Sequence, residues 1–218
     1  MKHTLIFILL FISNIAFAQT YKAVYECVFV EKENYIAEEI MAQEQLQDNE
    51  FYVVFDSKYS VFYSLNISEE RIDFGDAFAG ITTYLFWDSA NKFYYFQTHP
   101  RHGDFCVEKE QTIWQITDET KIIDDYTCIK AIGKTVSGFD AQNNPTYSPI
   151  EAWFIPELPY GYGPNYTSGL PGLVAQAIIN NRVVFNLKQL HKIESTDISQ
   201  YKCDLNDHIS FFDYLNRN

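Results

Sequence analysis

Two histidines and a cysteine fall close together in the stretch His99-Pro100-Arg101-His102-Gly103-Asp104-Phe105-Cys106. All three are ligand types that zinc and copper accept. Pro100 and Gly103 nevertheless mark the stretch as a turn between strands, and a disulfide at Cys106 would take its sulfur out of any ligand set. The expectation is a turn, with no metal and no other cofactor. Acidic neighbours at Glu38-Glu39, Glu69-Glu70 and Asp124-Asp125 invite an acid/base reading. Adjacent side chains on a strand point to opposite faces, so such neighbours do not form a dyad. Asp140-Ala141-Gln142-Asn143-Asn144 lacks the glycine and closing glutamate of a calcium loop. Ser168-Gly169 lacks the Gly-x-Ser-x-Gly frame of a nucleophile elbow. His191 falls in a strand as a surface residue, and no glycine-rich phosphate cradle occurs. These residues predict a non-enzymatic protein; a hydrolase whose site is assembled only in three dimensions ranks last.

The four cysteines, Cys27, Cys106, Cys128 and Cys203, are spread widely along the chain. Their spacing matches neither a zinc ribbon nor a Cys-x-x-Cys redox site. Three pairings into two disulfides are open, and buried free thiols compete with all of them.

One Gly/Pro-rich stretch stands out, Tyr160-Gly161-Tyr162-Gly163-Pro164-Asn165-Tyr166-Thr167-Ser168-Gly169-Leu170-Pro171-Gly172-Leu173-Val174. Pro171 suits the second position of a turn, and Gly172 would supply positive φ at the third, as in a type II turn. Leu170, before a proline, is held extended, and Leu170 and Leu173 would anchor the turn inward. The stretch resembles the GLPGLI family of exported bacterial proteins, with Gly163-Pro164 at the upstream Gly-Pro pair. The resemblance extends to Ala152-Trp153-Phe154 followed by Pro156 or Pro159, to Cys128-Ile129-Lys130-Ala131, and to the segment from Asp56 to Phe62. Val174 departs from the family's final isoleucine, and the loop between Val136 and Tyr147 lacks the usual basic residues. The resemblance implies a secreted or periplasmic protein of two-membrane bacteria and brings no activity with it.

The elements that would carry these residues are mainly strands. Residues 20–31 alternate with a two-residue period, placing Tyr21, Ala23, Tyr25, Cys27 and Phe29 on one face. Phe51–Phe55 and Tyr59–Ser64 flank a short turn, as do Thr83–Trp87 and Phe93–Thr98. Gln111–Thr117, Lys121–Ile123, Tyr126–Val136, Pro149–Phe154 and Leu173–Ile179 continue the series. Asn180-Asn181 then closes a hairpin with Arg182–Leu190, since asparagine tolerates the positive φ of such turns. Helical patterning is confined to residues 36–47 and to 204–214 behind an Asp204 cap. The predicted fold is mostly β: an antiparallel meander of successive hairpins, forming a curved sheet or half-barrel with one or two short helices.

Residues 5–12 are continuously apolar, behind Lys2 and ahead of Ala16-Phe17-Ala18, the pattern of an export signal cleaved after Ala18. Residues 19–197 then read as a single domain and 198–218 as a helical C-terminal appendage. No later stretch is apolar enough for a transmembrane helix. The signal removes Lys2 and no acid, leaving 15 basic residues against 29 acidic ones and a net charge of −14. Such a balance repels nucleic acid and anionic membrane surfaces. With 18 Phe, 16 Tyr and 3 Trp the chain can pack a strand-rich core or line an aromatic cavity. The leading expectation is a binding or carrier module for an apolar ligand or peptide. The rival is an accessory protein that docks an envelope or secretion component.

Overall fold

A computed structural model describes residues 19–66, 74–81, 83–97, 105–204 and 208–216. The expected export signal, Glu69, Glu70, His99 and His102 lie outside the described residues. The chain is mostly β. In order it forms β1 (Thr20–Phe29), α1 (Ala37–Gln47), β2 (Phe51–Phe55), β3 (Tyr59–Ser64), α2 (Phe74–Phe78), β4 (Leu85–Asp88) and β5 (Phe93–Gln97). There follow β6 (Cys106–Glu110), β7 (Ile113–Ile123), β8 (Tyr126–Phe139), β9 (Pro145–Ile155), β10 (Leu173–Ile179) and β11 (Val183–Ile193). A 3-10 turn at Ile198–Tyr201, β12 (His208–Ser210) and α3 (Phe211–Leu215) complete the fold.

The strands make one sheet in the order β12-β6-β5-β4-β3-β2-β1-β11-β10-β9-β8-β7. Two runs of hairpins, β1 to β6 and β7 to β11, are joined where β1 pairs antiparallel with β11. All neighbours are antiparallel except β12, which lies parallel to β6. The turn chemistry of the last hairpin is as expected, with Asn180 at φ 55° and Asn181 at φ 52°.

Connectivity dictates the curvature. β6 and β7 belong to opposite ends of the sheet, yet only Gln111 and Thr112 separate them in sequence. Three Cα steps span about 10 Å at most, so the two ends must approach each other. The sheet therefore curls into an open barrel without a β6–β7 ladder. Its concave face buries Tyr25, Phe51, Phe55, Phe154 and Phe185 almost completely. Phe185 meets Phe51 and Phe62 edge-to-face at 5.5 and 5.6 Å, the arrangement favoured by ring quadrupoles.

Part of the C-terminal stretch packs against the sheet. Ile198, Tyr201 and Cys203 cover a second apolar cluster of Val54, Val61, Phe86, Tyr95 and Cys106 on the outer face. The predicted helix over 204–214 is corrected. His208–Ser210 is drawn into pairing with β6, and the helix starts at Phe211, capped by Ser210 and not by Asp204. The Ser210 hydroxyl accepts from the Asp213 amide at 3.1 Å. Likewise β6 begins within the stretch that reads as a turn, at Cys106.

Cys106 is joined to Cys203, while Cys27 and Cys128 are free and buried. Burial pushes both thiols up, which keeps them protonated and unreactive. Peptide mapping should find the Cys106–Cys203 link, with Cys27 and Cys128 alkylated only after denaturation. A Cys27–Cys128 link, or four free thiols in exported protein, would contradict this arrangement.

Candidate functional site

The Gly/Pro-rich stretch runs across the mouth of the open barrel and ties its two ends together. From β5, the Tyr94 hydroxyl accepts from the Ser168 amide at 2.8 Å. From β7, the Trp114 indole N–H donates to the Ser168 carbonyl at 3.2 Å, and from the β6–β7 link Thr112 Oγ1 donates to the Tyr166 carbonyl. From β1, the Tyr25 hydroxyl donates to the Val174 carbonyl at 2.7 Å. Thr167 and Ser168 are almost wholly buried, so these bonds satisfy backbone groups that water cannot reach. Gly163 and Pro164 lie in the first bend, where Thr167 Oγ1 donates to the Pro164 carbonyl at 2.6 Å. Leu170 and Leu173 point inward as expected, 3% and 0% exposed.

The type II reading of Pro171-Gly172 is overturned. Positive φ occurs at Asn165 (53°) and Gly169 (97°), and not at Gly172. Gly172 is instead required by close approach: a β-carbon there would sit 2.8 Å from the Ile155 carbonyl carbon and collide with its oxygen. Leu173 is already hydrogen-bonded to the Leu158 carbonyl at 2.9 Å, so the strand cannot back away.

This loop is also one wall of a cleft with a volume of about 640 Å³. The opposite walls are the β2–β3 and β4–β5 turns and the start of β1. Rings line part of it: Tyr21, Trp87, Tyr160 and Tyr162. Tyr160 is wedged between Tyr21 and Phe55, with centroids at 4.9 and 5.2 Å. The lining also includes residues whose side chains can hydrogen-bond, among them Gln19, Asp56, Ser89, Lys92 and Gln111. Asp56 Oδ1 accepts from the Lys58 and Tyr59 amides at 2.7 and 2.9 Å, which fixes the carboxylate. Burial pushes the Tyr162 hydroxyl up to about 12, opposed by its hydrogen bond to Ser89 and reinforced by Asp56 and Asp88. It therefore stays a neutral phenol that can donate a hydrogen bond.

Among the described residues, those singled out for chemistry do not converge. Cys106 is committed to its disulfide, and no group of three or more metal-ligating side chains occurs among the described residues. Asp124, at φ 50°, turns β7 into β8. Asp140 accepts from the Gln142 and Asn144 amides at 2.9 and 2.8 Å, serving the β8–β9 turn. His191 is exposed beside Gln189.

Two buried polar groups escaped sequence reasoning. Asn49 donates to Ser64 and Asp76 at 2.7 Å each, pinning α2 to β3. Lys109 on β6 is only 5% exposed, its Nζ 3.7 Å from the Tyr166 ring centroid and 4.8 Å from that of Phe211. Burial pushes its amine down to about 7. Neither group lines the cleft.

The chain matches no family model and no curated protein. Its fold is similar to part of a solved protein, PNGF-II, in two crystal forms. The C2 form aligns at 18% identity and TM-score 0.55 over 88% of this chain and 30% of that one. The P21 form gives the same identity and TM-score over 84% of this chain and 30% of that one. The chain thus spans about a third of the length of these neighbours, and the likeness is one of fold alone.

Proposed function

We propose that the chain is an exported envelope protein acting as a non-catalytic binding module, with its ligand held in the cleft at the barrel mouth. The observation that carries this reading is the cleft's construction. A loop pinned to β1, β5 and β7 supplies one wall with its tyrosines, and the facing segments supply hydrogen-bonding side chains. Pockets of this kind, mostly pre-formed and with a few placed polar groups, are the usual form of a small-molecule site. The concave interior is filled by aromatic side chains, which favours a ligand at the mouth over one swallowed by the barrel. The resemblance of residues 160–174 to an exported family and the apolar run at residues 5–12 support the envelope location.

Native mass spectrometry of protein recovered from its own envelope tests the proposal. A non-covalent adduct is expected on the unmodified chain. Tyr160→Ala should reduce its occupancy at least tenfold. A second variant, Lys92→Asn, should weaken it without unfolding risk, because asparagine tolerates the φ of 61° at that position. An adduct that survives both changes, or none on the unmodified chain, would sink the reading.

A further inference from the structure

We propose that the cleft takes a short, neutral oligosaccharide; this rests on the reading of the cleft as a ligand site. Its lining combines two chemistries. Tyr21 and Tyr160, both half-buried, supply flat, polarisable ring surface, and the buried Tyr162 and Trp87 contribute only their rims. The C–H faces of a pyranose ring are weakly positive and flat, and they complement the negative face of an aromatic quadrupole. The same lining includes an amide at Gln111, a hydroxyl at Ser89 and a carboxylate at Asp56. Vicinal sugar hydroxyls donate and accept at once, so they can satisfy such mixed groups without leaving any unpaired.

Charge narrows the class. The side chains of the lining include one carboxylate, Asp56, and one ammonium, Lys92, which offset each other. The chain's net charge of −13 further disfavours phosphorylated or uronic ligands. A fatty acyl chain would leave the Asp56 and Lys92 charges and the Gln111 amide facing hydrocarbon, a costly desolvation. An extended peptide captured by strand addition needs a free strand edge, and the walls here are turns and a loop. The volume of about 640 Å³ lies within the range of small-ligand pockets and suits a few linked sugar rings.

The site is also stiff. The loop arms are cross-tied where the Gly169 amide donates to the Gly161 carbonyl at 2.9 Å. At Gly161 a β-carbon would stand 2.7 Å from the Leu170 carbonyl oxygen. Pre-organised walls reduce the ordering cost of binding a weakly interacting ligand.

The test is an array of neutral, acidic and basic oligosaccharides probed with the intact exported protein. Titration calorimetry follows on each hit, with a fatty acid and a random peptide pool as comparators. Neutral oligosaccharides should be retained, and Gln111→Ala should weaken the best of them at least fivefold with little change in melting temperature. Tyr160→Ala should weaken it at least as much and also lower the melting temperature, because the Tyr160 ring packs between Tyr21 and Phe55. Retention of acidic sugars alone, or of peptide or fatty acid with loss in Tyr160→Ala, would overturn the carbohydrate assignment and leave the binding-module reading standing. If nothing binds and the envelope-purified chain carries no adduct, the module reading falls with it.

Discussion

Gly172→Val is expected to destabilise the fold by about 3 kcal/mol or more, in the upper range for overpacked interiors. The cause is a collision between backbone and side chain. Any β-carbon at position 172 lands on the Ile155 carbonyl and within 3.0 Å of Phe154 Cδ2. Phe154 and Ile155 are buried in β9, which is held by β8 on one side and β10 on the other, so neither can yield cheaply. For a chain of this size the loss corresponds to a melting temperature lower by roughly 6–12 °C. Alanine is the sharper probe. If steric approach is the reason for glycine, Gly172→Ala should cost nearly as much as valine. At Gly169 the reason is φ, and a β-carbon there meets nothing closer than 3.5 Å. Gly169→Ala should then cost about 1 kcal/mol of backbone strain. Denaturant titration of the variants decides it: Gly172→Ala within half a kcal/mol of the parent would refute the close-approach account.

That contrast shows what was legible in the sequence and what was not. The string around Pro171 announced a constrained backbone, and Leu170 and Leu173 do anchor it. Local turn rules assigned the constraint to φ because they know only the residues next to each other. The true constraint is Ile155, which reaches Gly172 through a strand pairing. The same division runs through the fold. Phe51–Phe55, Tyr59–Ser64 and Leu173–Ile179 match their predicted bounds because alternating or continuous apolar runs end at turn residues. β6 escaped prediction because its alternation is hidden by Glu108, Lys109 and Glu110 and its start by Pro100 and Gly103. β12 could not be foreseen from a window of local sequence, since His208–Ser210 is strand only because β6 offers an edge.

The candidate site was half legible. Tyr160, Tyr162, Gly169 and Leu170 lie in the stretch already singled out, and all four line the cleft. Asp56 and Lys92 come from hairpin turns, and Trp87 from a strand, none of which was read as part of a site. They reach the site because the sheet curls, and the signal for that curl is topological: a two-residue link between strands at opposite ends of one sheet.

Lys109→Met should stabilise the protein at pH 6 by about 2 kcal/mol, with the gain fading as the pH rises toward 10. The side chain is buried on β6, and burial brings the amine's pKa down to about 7 from an ordinary 10.5. A depressed folded-state value means that the unfolded chain binds the proton more tightly. Below about pH 7 both states are protonated and the native state bears the full desolvation cost. Between about 7 and 10.5 the native state releases its proton while the unfolded chain keeps it, so stability rises with pH. Above 10.5 both forms are neutral and the cost is gone. Methionine never carries the charge, so the difference between parent and variant isolates this one group from every tyrosine and carboxylate that titrates alongside it. The Tyr166 and Phe211 rings at 3.7 and 4.8 Å hold back part of the cost by cation–π attraction, which is why the gain is set well below the full desolvation penalty. Those rings belong to the mouth loop and to α3, so the protonated amine also bridges two segments that are distant in sequence. Paired denaturant curves at pH 6, 8 and 10 make the measurement. A difference that is flat with pH, or a variant less stable at pH 6 than at pH 10 relative to the parent, would show that the aromatic pair outweighs burial and that Lys109 is a staple and not a burden.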